Sequence, residues 1–327
     1  MKAVKGRFFF GGAHVPDRKS LAKDAPIEEL PEPQEVTIAL LQSLGKPAIA
    51  CVSVGDTVAK GQLIAKADGA ISSDVFASIS GTITEIKALD NECGRQDTFI
   101  VIKGDGSGKT QYLPPLSDPS PEQIVERVRE ACIVGLGGAG FTTAVKLKPR
   151  TPVDTFIING SECEPYLTCD HRVMIEFTEE VARGARYIAK ALGVSKIMIG
   201  IEKNKPDCIA AFEKFDDIQV VALRKIYPMG GEKQLIYSAT GRKVGYGQLP
   251  ADVGVVVNNV ATCLSVCEAI EQGKPDVDSI LTVSGESITR PANVKVPVGT
   301  SIAYIVEQCG GEKSAPKKVV LGGPMTG

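Results

Sequence analysis

A chain of 327 residues exceeds one ordinary domain, so about two or three are expected. Its 43% hydrophobic content can build real cores, and a net charge of −2 offers no basic face to nucleic acid. No apolar run approaches the ~18 residues of a membrane span, Met1-Lys2-Ala3-Val4-Lys5 leads into polar sequence unlike a signal peptide, and nine cysteines without disulfide rhythm suit a reducing compartment. The chain itself reads as soluble.

Residues 1–29 carry little periodicity. Phe8-Phe9-Phe10, followed by Gly11-Gly12 and Pro16, reads as an extended arm that packs its aromatics on another domain. Residues 30–110 read as a small all-β barrel or sandwich: a strand at 49–54, a turn at Gly55-Asp56, a stretch at 58–65 that leads through Lys60-Gly61-Gln62 into another strand, a second turn at Asp68-Gly69 and a strand at 82–86. The order V-x-V-G-D-x-V-x-x-G-Q-x-I-A, then A-S-x-S-G-x-I, resembles the biotinyl/lipoyl hammerhead. The hairpin tip that carries a modified lysine in that family holds Ser73-Asp74-Val75-Phe76 here, so the module is expected to be structural. Residues 105–121, with Pro114-Pro115 and Pro119, form a linker.

From 120 to 272 the elements alternate in the α/β manner. Ser120 as N-cap, Pro121 at the first helical position and Gln123 closing a capping box predict a helix whose Ile124, Val125 and Val128 share a face. Strands follow at 153–158, 196–201, 220–223 and 253–257. Helices are expected at 172–192, with a buried stripe of Phe177, Val181, Ala185, Ile188 and Leu192 ending at Gly193, and at 208–215. This predicts a parallel sheet with right-handed crossovers, and ligands of such sheets bind outside the carboxyl ends of the strands. The loops at those ends are Asn159-Gly160-Ser161-Glu162-Cys163-Glu164-Pro165, Lys203-Asn204-Lys205, residues 227–233 with Gly230-Gly231-Glu232-Lys233, and Asn258-Asn259.

The run Gly135-Leu136-Gly137-Gly138-Ala139-Gly140-Phe141 lets backbone amides approach a ligand with few side chains in the way. It follows a helix and precedes a strand, which disfavours an ordinary dinucleotide fingerprint. From the residues alone it is either a cofactor loop or a glycine-rich helix stop, and Glu162 with Glu164 either a binding pair or a solvated one. Residues 275–327 add strands at 280–284, 294–298 and 318–321 and a helix at 301–308. Cys163 and Cys169, or Cys263 and Cys267, make no iron–sulfur ligand set.

Together the loops at 135–141, 159–165, 230–233 and 258–259, the opening F-x-G-G-x-H-x-P at 9–16, L-P-A-D-V-G at 249–254 and G-G-P-M at 322–325 resemble the RnfC family of Rnf electron-transport complexes (ferredoxin:NAD+ oxidoreductase) over almost the whole chain. That family is related to the FMN- and NADH-binding subunit of respiratory complex I. The resemblance implies an α/β multidomain protein: an N-terminal barrel-sandwich hybrid (30–110), a central Rossmann-like FMN-binding α/β domain (120–272) and a C-terminal, β-grasp-like SLBB domain (275–327). It implies non-covalent FMN held by Gly135, Gly137, Gly138, Gly140, Lys146, Asn159, Ser161, Glu162, Asn258 and Asn259. NAD(H) would meet Phe141, Glu164, Glu232 and Lys233. No general acid or base is needed and no metal is held within these residues; two [4Fe–4S] clusters are expected only in a full-length protein, so either a truncated form or a naturally short protein is expected here. Implied partners are the other Rnf membrane subunits, the iron–sulfur protein RnfB above all, on the cytoplasmic face of the membrane. This sequence departs from the pattern at Thr142 (usually proline), Ser161 (aspartate in the complex I version) and Lys233 (glutamate). Two other readings stay open: a structural subunit that has lost its cofactors, and a soluble flavin and iron–sulfur reductase such as cobalamin reductase.

Overall fold

The structure, a computed structural model, describes the chain except for Met1, Ala70, Glu92, Cys93, Ala139 and Gly327. Strand β1 (Val4–Lys5) and strand β2 (Ile27–Glu29) lie in the arm but serve sheets far away in sequence. Strands β3 (Glu35–Ala39), β4 (Ile49–Ala50), β5 (Thr57–Val58), β6 (Leu63–Lys66), β7 (Val75–Phe76), β8 (Gly81–Asp90) and β9 (Gln96–Gly104) build the barrel-sandwich from sheets β3-β9-β8-β5 and β4-β6-β7. Alternating apolar residues such as Val36, Ile38, Ile64, Ile83, Ile100 and Ile102 fill its core. The β6–β7 hairpin is closed by Asp74, which accepts from Lys66 Nζ at 2.6 Å and from the Ala67 N–H at 2.8 Å.

Helix α1 (Pro121–Glu130) carries the expected cap: Ser120 Oγ accepts from the Gln123 N–H at 3.3 Å, and Gln123 Oε1 accepts from the Ser120 N–H at 2.8 Å. Ser120→Ala is therefore expected to cost about 1 kcal/mol, read as a shifted denaturant midpoint at constant slope. Then come α2 (Thr143–Lys146), β10 (Thr155–Gly160), α3 (Cys169–Glu176), α4 (Thr178–Leu192), β11 (Lys196–Glu202), α5 (Pro206–Phe212), β12 (Ile218–Leu223), α6 (Glu232–Thr240), β13 (Val255–Asn259) and α7 (Val260–Glu271).

The five-stranded sheet runs β1-β12-β11-β10-β13, all parallel. Pleating sends Phe156 and Ile158 into the core under α1, α4 and α7, and sends Ile157 to the opposite face against Leu235 and Ile236 of α6. Finally β14 (Asp278–Val283), β15 (Ala292–Pro297) and α8 (Ile302–Gln308) form a small unit whose sheet is β14-β15-β2. No helix among the described residues is long and apolar enough to cross a membrane.

Four local expectations change. The single helix at 172–192 is two helices, broken at Phe177 (φ −123°, ψ 34°), where Thr178 Oγ1 donates to the Met174 carbonyl at 2.7 Å. The expected strand at 49–54 pairs only over Ile49–Ala50. The expected strand at 318–321 does not form: β2 takes the place beside β15, and Val319 stays 67% exposed. Of the three arm aromatics, Phe9 packs against the sheet, but Phe8 and Phe10 are exposed and meet each other edge to face at 5.1 Å.

Candidate functional site

Strand order places the site. From β10 the chain steps outward to β11 and β12, then returns to the other side of β10 as β13, so the connections leave in opposite directions between β10 and β13. At their ends Asn159 and Asn259 sit in register. A cavity of about 740 Å3 opens there, and six of the expected residues line it: Gly137, Gly138, Asn159, Glu162, Glu164 and Asn259.

Asn159 ties two walls together, donating Nδ2 to the Gly230 carbonyl at 2.9 Å and accepting from the Ser161 N–H at 3.2 Å. Asn259 caps α7: Oδ1 accepts from the Ala261 N–H at 2.7 Å and Nδ2 donates to Asp170 at 2.7 Å. Gly137, at φ 69°, passes so close that a Cβ there would lie 2.8 Å from Asn259 Nδ2, whereas a Cβ on Gly138 would meet nothing within 4 Å. The Gly135 N–H donates to the Phe141 carbonyl at 2.8 Å, and the Gly140 carbonyl accepts from the Leu44 N–H of the barrel at 3.4 Å. Neither Gly135, Gly140 nor half-buried Phe141 lines the cavity, and Ala139 lies outside the described residues.

Among the described residues Asn258, 3% exposed, has no hydrogen-bond partner on either amide atom, and the buried Ser161 hydroxyl has none either. Lys146 reaches the Glu232 carboxylate at 3.3 Å and the Val257 carbonyl at 3.2 Å. Lys233 turns outward to the Gly245 carbonyl at 3.0 Å. Glu164 accepts the Met325 N–H at 2.6 Å and the Thr326 N–H at 3.3 Å, so the segment after α8 folds onto this wall.

Residues 128–268 match the Nuo51 FMN-binding domain, residues 7–107 the RnfC barrel sandwich hybrid domain and residues 280–327 the SLBB domain. The chain is 43% identical over 328 residues to the C subunit of the proton-translocating ferredoxin:NAD(+) oxidoreductase complex of Clostridium ljungdahlii, covering 98% of this chain and 72% of that one. It is 42% identical to the C subunit of the ion-translocating oxidoreductase complex of Rhodobacter capsulatus, covering 97% of this chain and 63% of that one. With the Na(+)-translocating counterpart of Acetobacterium woodii the identity is 39%, over 99% of this chain and 75% of that one. The chain belongs to the RnfC family. It spans 63 to 75% of the length of these relatives. An NAD+-reducing [NiFe]-hydrogenase in its H2-reduced state shares the fold at a TM-score of 0.50 and 24% identity, over 58% of this chain and 39% of that one.

In this RnfC chain the cleft rests on a charged floor of which only Glu162 was expected. Its side chain is 3% exposed; Oε1 accepts the Asp170 N–H at 2.7 Å, and Oε2 faces Lys19 at 3.3 Å and Lys205 at 3.9 Å. The Lys205 ammonium, 1% exposed, also donates to the Ser161 carbonyl at 2.6 Å and lies 3.8 Å from Glu202. Burial pushes the Glu202 carboxyl up to about 7. Burial and then the Glu162 charge push Asp170 up to about 7 as well. A carboxyl raised in the fold contributes stability that is complete below its unfolded value near 4 and is lost as pH rises through the folded value. Asp170→Asn keeps an acceptor for Asn259, so it is expected to melt above the wild type at pH 8, by roughly 2 kcal/mol. That gain should shrink toward pH 5; a gain independent of pH would contradict the assignment.

Each of the four cysteines singled out in the sequence has another place in the structure. Cys163 Sγ accepts the Gly230 N–H at 3.2 Å, the Cys169 N–H donates to Thr282 at 2.9 Å, and Cys263 and Cys267 are core. His171, Asp207 and Cys208 come together, but His171 Nε2 and Asp207 already share a 2.7 Å hydrogen bond, and the Cys208 thiol is directed at the His171 carbonyl.

Sequence reasoning missed Lys19, Lys205 as a floor residue, Asp170 and the Gly322–Thr326 wall. Asp170, an acid in the first turn of a helix just after the 159–165 loop, was the one with a local signal.

Proposed function

We propose that this chain is the NADH/FMN module of an ion-translocating ferredoxin:NAD+ oxidoreductase complex, passing electrons between NAD(H) and ferredoxin through FMN and iron–sulfur clusters. The observation that carries the reading is the cavity at the ends of β10 and β13, lined by Gly137, Gly138, Asn159 and Asn259 within residues that match an FMN-binding domain, beside which the buried Asn258 amide has no partner among the described residues. A buried amide with donor and acceptor both unused is costly unless a ligand completes it. The Ser161 hydroxyl is in the same position, and the open side of Gly138 leaves space for a ring. The residues present therefore fit the group.

FMN, when bound, interconverts a hydride with single electrons. The chain's part is to bind and orient. Gly135, Gly137, Gly138 and Gly140 allow close backbone approach, while Asn159, Ser161 and Glu162 offer polar contacts to the ring edge. Asn258 and Asn259, with the amides opening α7, suit a phosphate, and Lys146 supplies positive charge. Phe141, Glu164, Glu232 and Lys233 are assigned to the dinucleotide. The two [4Fe–4S] clusters would lie in the part of the relatives that this chain does not span. The iron–sulfur protein RnfB and the other members of the complex would hold the chain to the cytoplasmic face of the membrane.

A second reading, a scaffold without cofactor, is favoured by Glu164 already being engaged by the Met325 and Thr326 amides. An absorbance spectrum of the protein with FMN, followed by anaerobic NADH, separates the two. Retained flavin that bleaches supports the NADH/FMN module; no retained flavin at FMN far above micromolar leaves the scaffold.

A further inference from the structure

The N-terminal arm does more at the cleft than pack an aromatic. Lys19 sits on a short turn of an otherwise exposed stretch, yet it is only 5% exposed. Its ammonium has three N–H donors, and all three go to one loop: to Glu162 Oε2 at 3.3 Å, to the Glu164 carbonyl at 3.0 Å and to the Leu167 carbonyl. Those three loop residues all line the cavity. Two residues earlier, the Asp17 carbonyl accepts the Tyr166 N–H at 2.8 Å, and the Asp17 carboxylate pairs with Lys225 at 2.7 Å.

The same stretch grips the opposite wall. Ala13 and Tyr227 exchange both backbone hydrogen bonds, at 2.7 and 2.9 Å, just before Pro228 and the Gly230-Gly231 turn of the cleft. The loop so held needs holding. Glu162 (φ 46°) and Tyr166 (φ 67°) are left-handed without being glycine, a conformation that persists only where the surroundings over-determine it. Lys205 grips the loop from the sheet side through the Ser161 carbonyl; its 164–167 end is held from outside by the arm, by the segment at 325–326 and by exposed Glu286, whose carboxylate accepts from the Tyr166 hydroxyl at 3.2 Å.

We propose that residues 13–19 form a clasp across the two loops that wall the cleft, with Lys19 as the positioning residue that sets the 162–167 loop. The N-terminal arm is then part of the cofactor site. The consequence for FMN rests on the function proposed above, while the clasp itself is a property of the chain without ligand.

Hydrogen exchange in the ligand-free wild type tests the clasp directly. The Ala13, Tyr166 and Tyr227 amides are expected to open as one unit under rising denaturant. Independent exchange of the three at unprotected rates would overturn it, and this measurement needs no variant to fold. In Lys19→Met, exchange at 164–168 is expected to rise about tenfold while the interior of α4 is unchanged, because local openings are separable from global unfolding. FMN affinity, followed by quenching of flavin fluorescence, should fall about tenfold, the scale on which supporting second partners act, and Lys19→Arg should recover part of both effects. Unchanged exchange at 164–168 in Lys19→Met would sink the proposal. A wild type that shows the cooperative unit but binds no FMN would instead overturn the cofactor reading and leave the clasp standing.

Discussion

Replacing Gly137 with valine is expected to weaken FMN binding strongly while leaving the fold in place. The φ of 69° already disfavours any side chain, by about 1–2 kcal/mol, and the new Cβ would lie 2.8 Å from Asn259 Nδ2. That amide cannot step aside without loss, since one end caps α7 and the other holds Asp170. Displacing it removes the cap and the only described hydrogen bond to the Asp170 carboxylate, and it fills the side of the loop that faces the cleft. An affinity loss of about a hundredfold is expected, equivalent to roughly 2.7 kcal/mol. Gly138→Ala is the control for steric origin. Its Cβ meets nothing, so the melting temperature should hold and only ligand approach should suffer. Titration of flavin fluorescence against each variant reads both effects. Wild-type affinity in Gly137→Val would mean that the 135–141 loop does not touch the flavin.

How far the sequence reached depends on the distance over which each feature is decided. The central strands were legible because both faces of a parallel sheet are buried, so their apolar runs are continuous; the expected 153–158 strand differs from Thr155–Gly160 only at its ends. The α1 cap was legible because its partners lie three residues apart. By contrast β1 and β2 are two and three residues long and gain their partners from β12 and β15, more than two hundred residues away. No local pattern marks such edges, and β2 also displaces the strand expected at 318–321.

The site divides in the same way. Glycine and asparagine clusters at strand exits are local signals, and the loops they mark do meet at one cavity. Glu162 reads equally as solvated from its neighbours in sequence. Its burial is decided by Lys19, 143 residues earlier, and by Lys205 after the next strand. Asn258 and Asn259 are alike as letters, but the end of β13 leaves one amide buried with no partner among the described residues and makes the other the cap of α7.

Gly184→Ala is expected to be among the most destabilising single substitutions in the chain. In an ordinary helix interior this change stabilises by about 0.5–1 kcal/mol, because alanine is the better helix former. Here α4 crosses α7 at Gly184, and a Cβ would fall 1.8 Å from the Cys263 carbonyl oxygen and 2.7 Å from its carbon. Both are backbone atoms of a buried helix, so no rotamer change relieves the contact and the helices must separate. Separation loosens Val181, Ala185 and Ile188 against the same core that holds Val260 and Leu264. The sign therefore reverses, to a loss of about 3 kcal/mol or more, seen as a melting temperature lower by roughly 5–10 °C. A variant that melts with or above the wild type would mean that the helices do not cross this closely. The displacement should also reach the cleft, because Cys263 lies one turn beyond the Asn259 cap on the same helix. Gly184→Ala protein that is still folded at low temperature should then bind FMN more weakly than the wild type. Early melting with wild-type affinity would confine the crossing to stability and leave the position of Asn259 to its bonds with Asp170 and Ala261 alone.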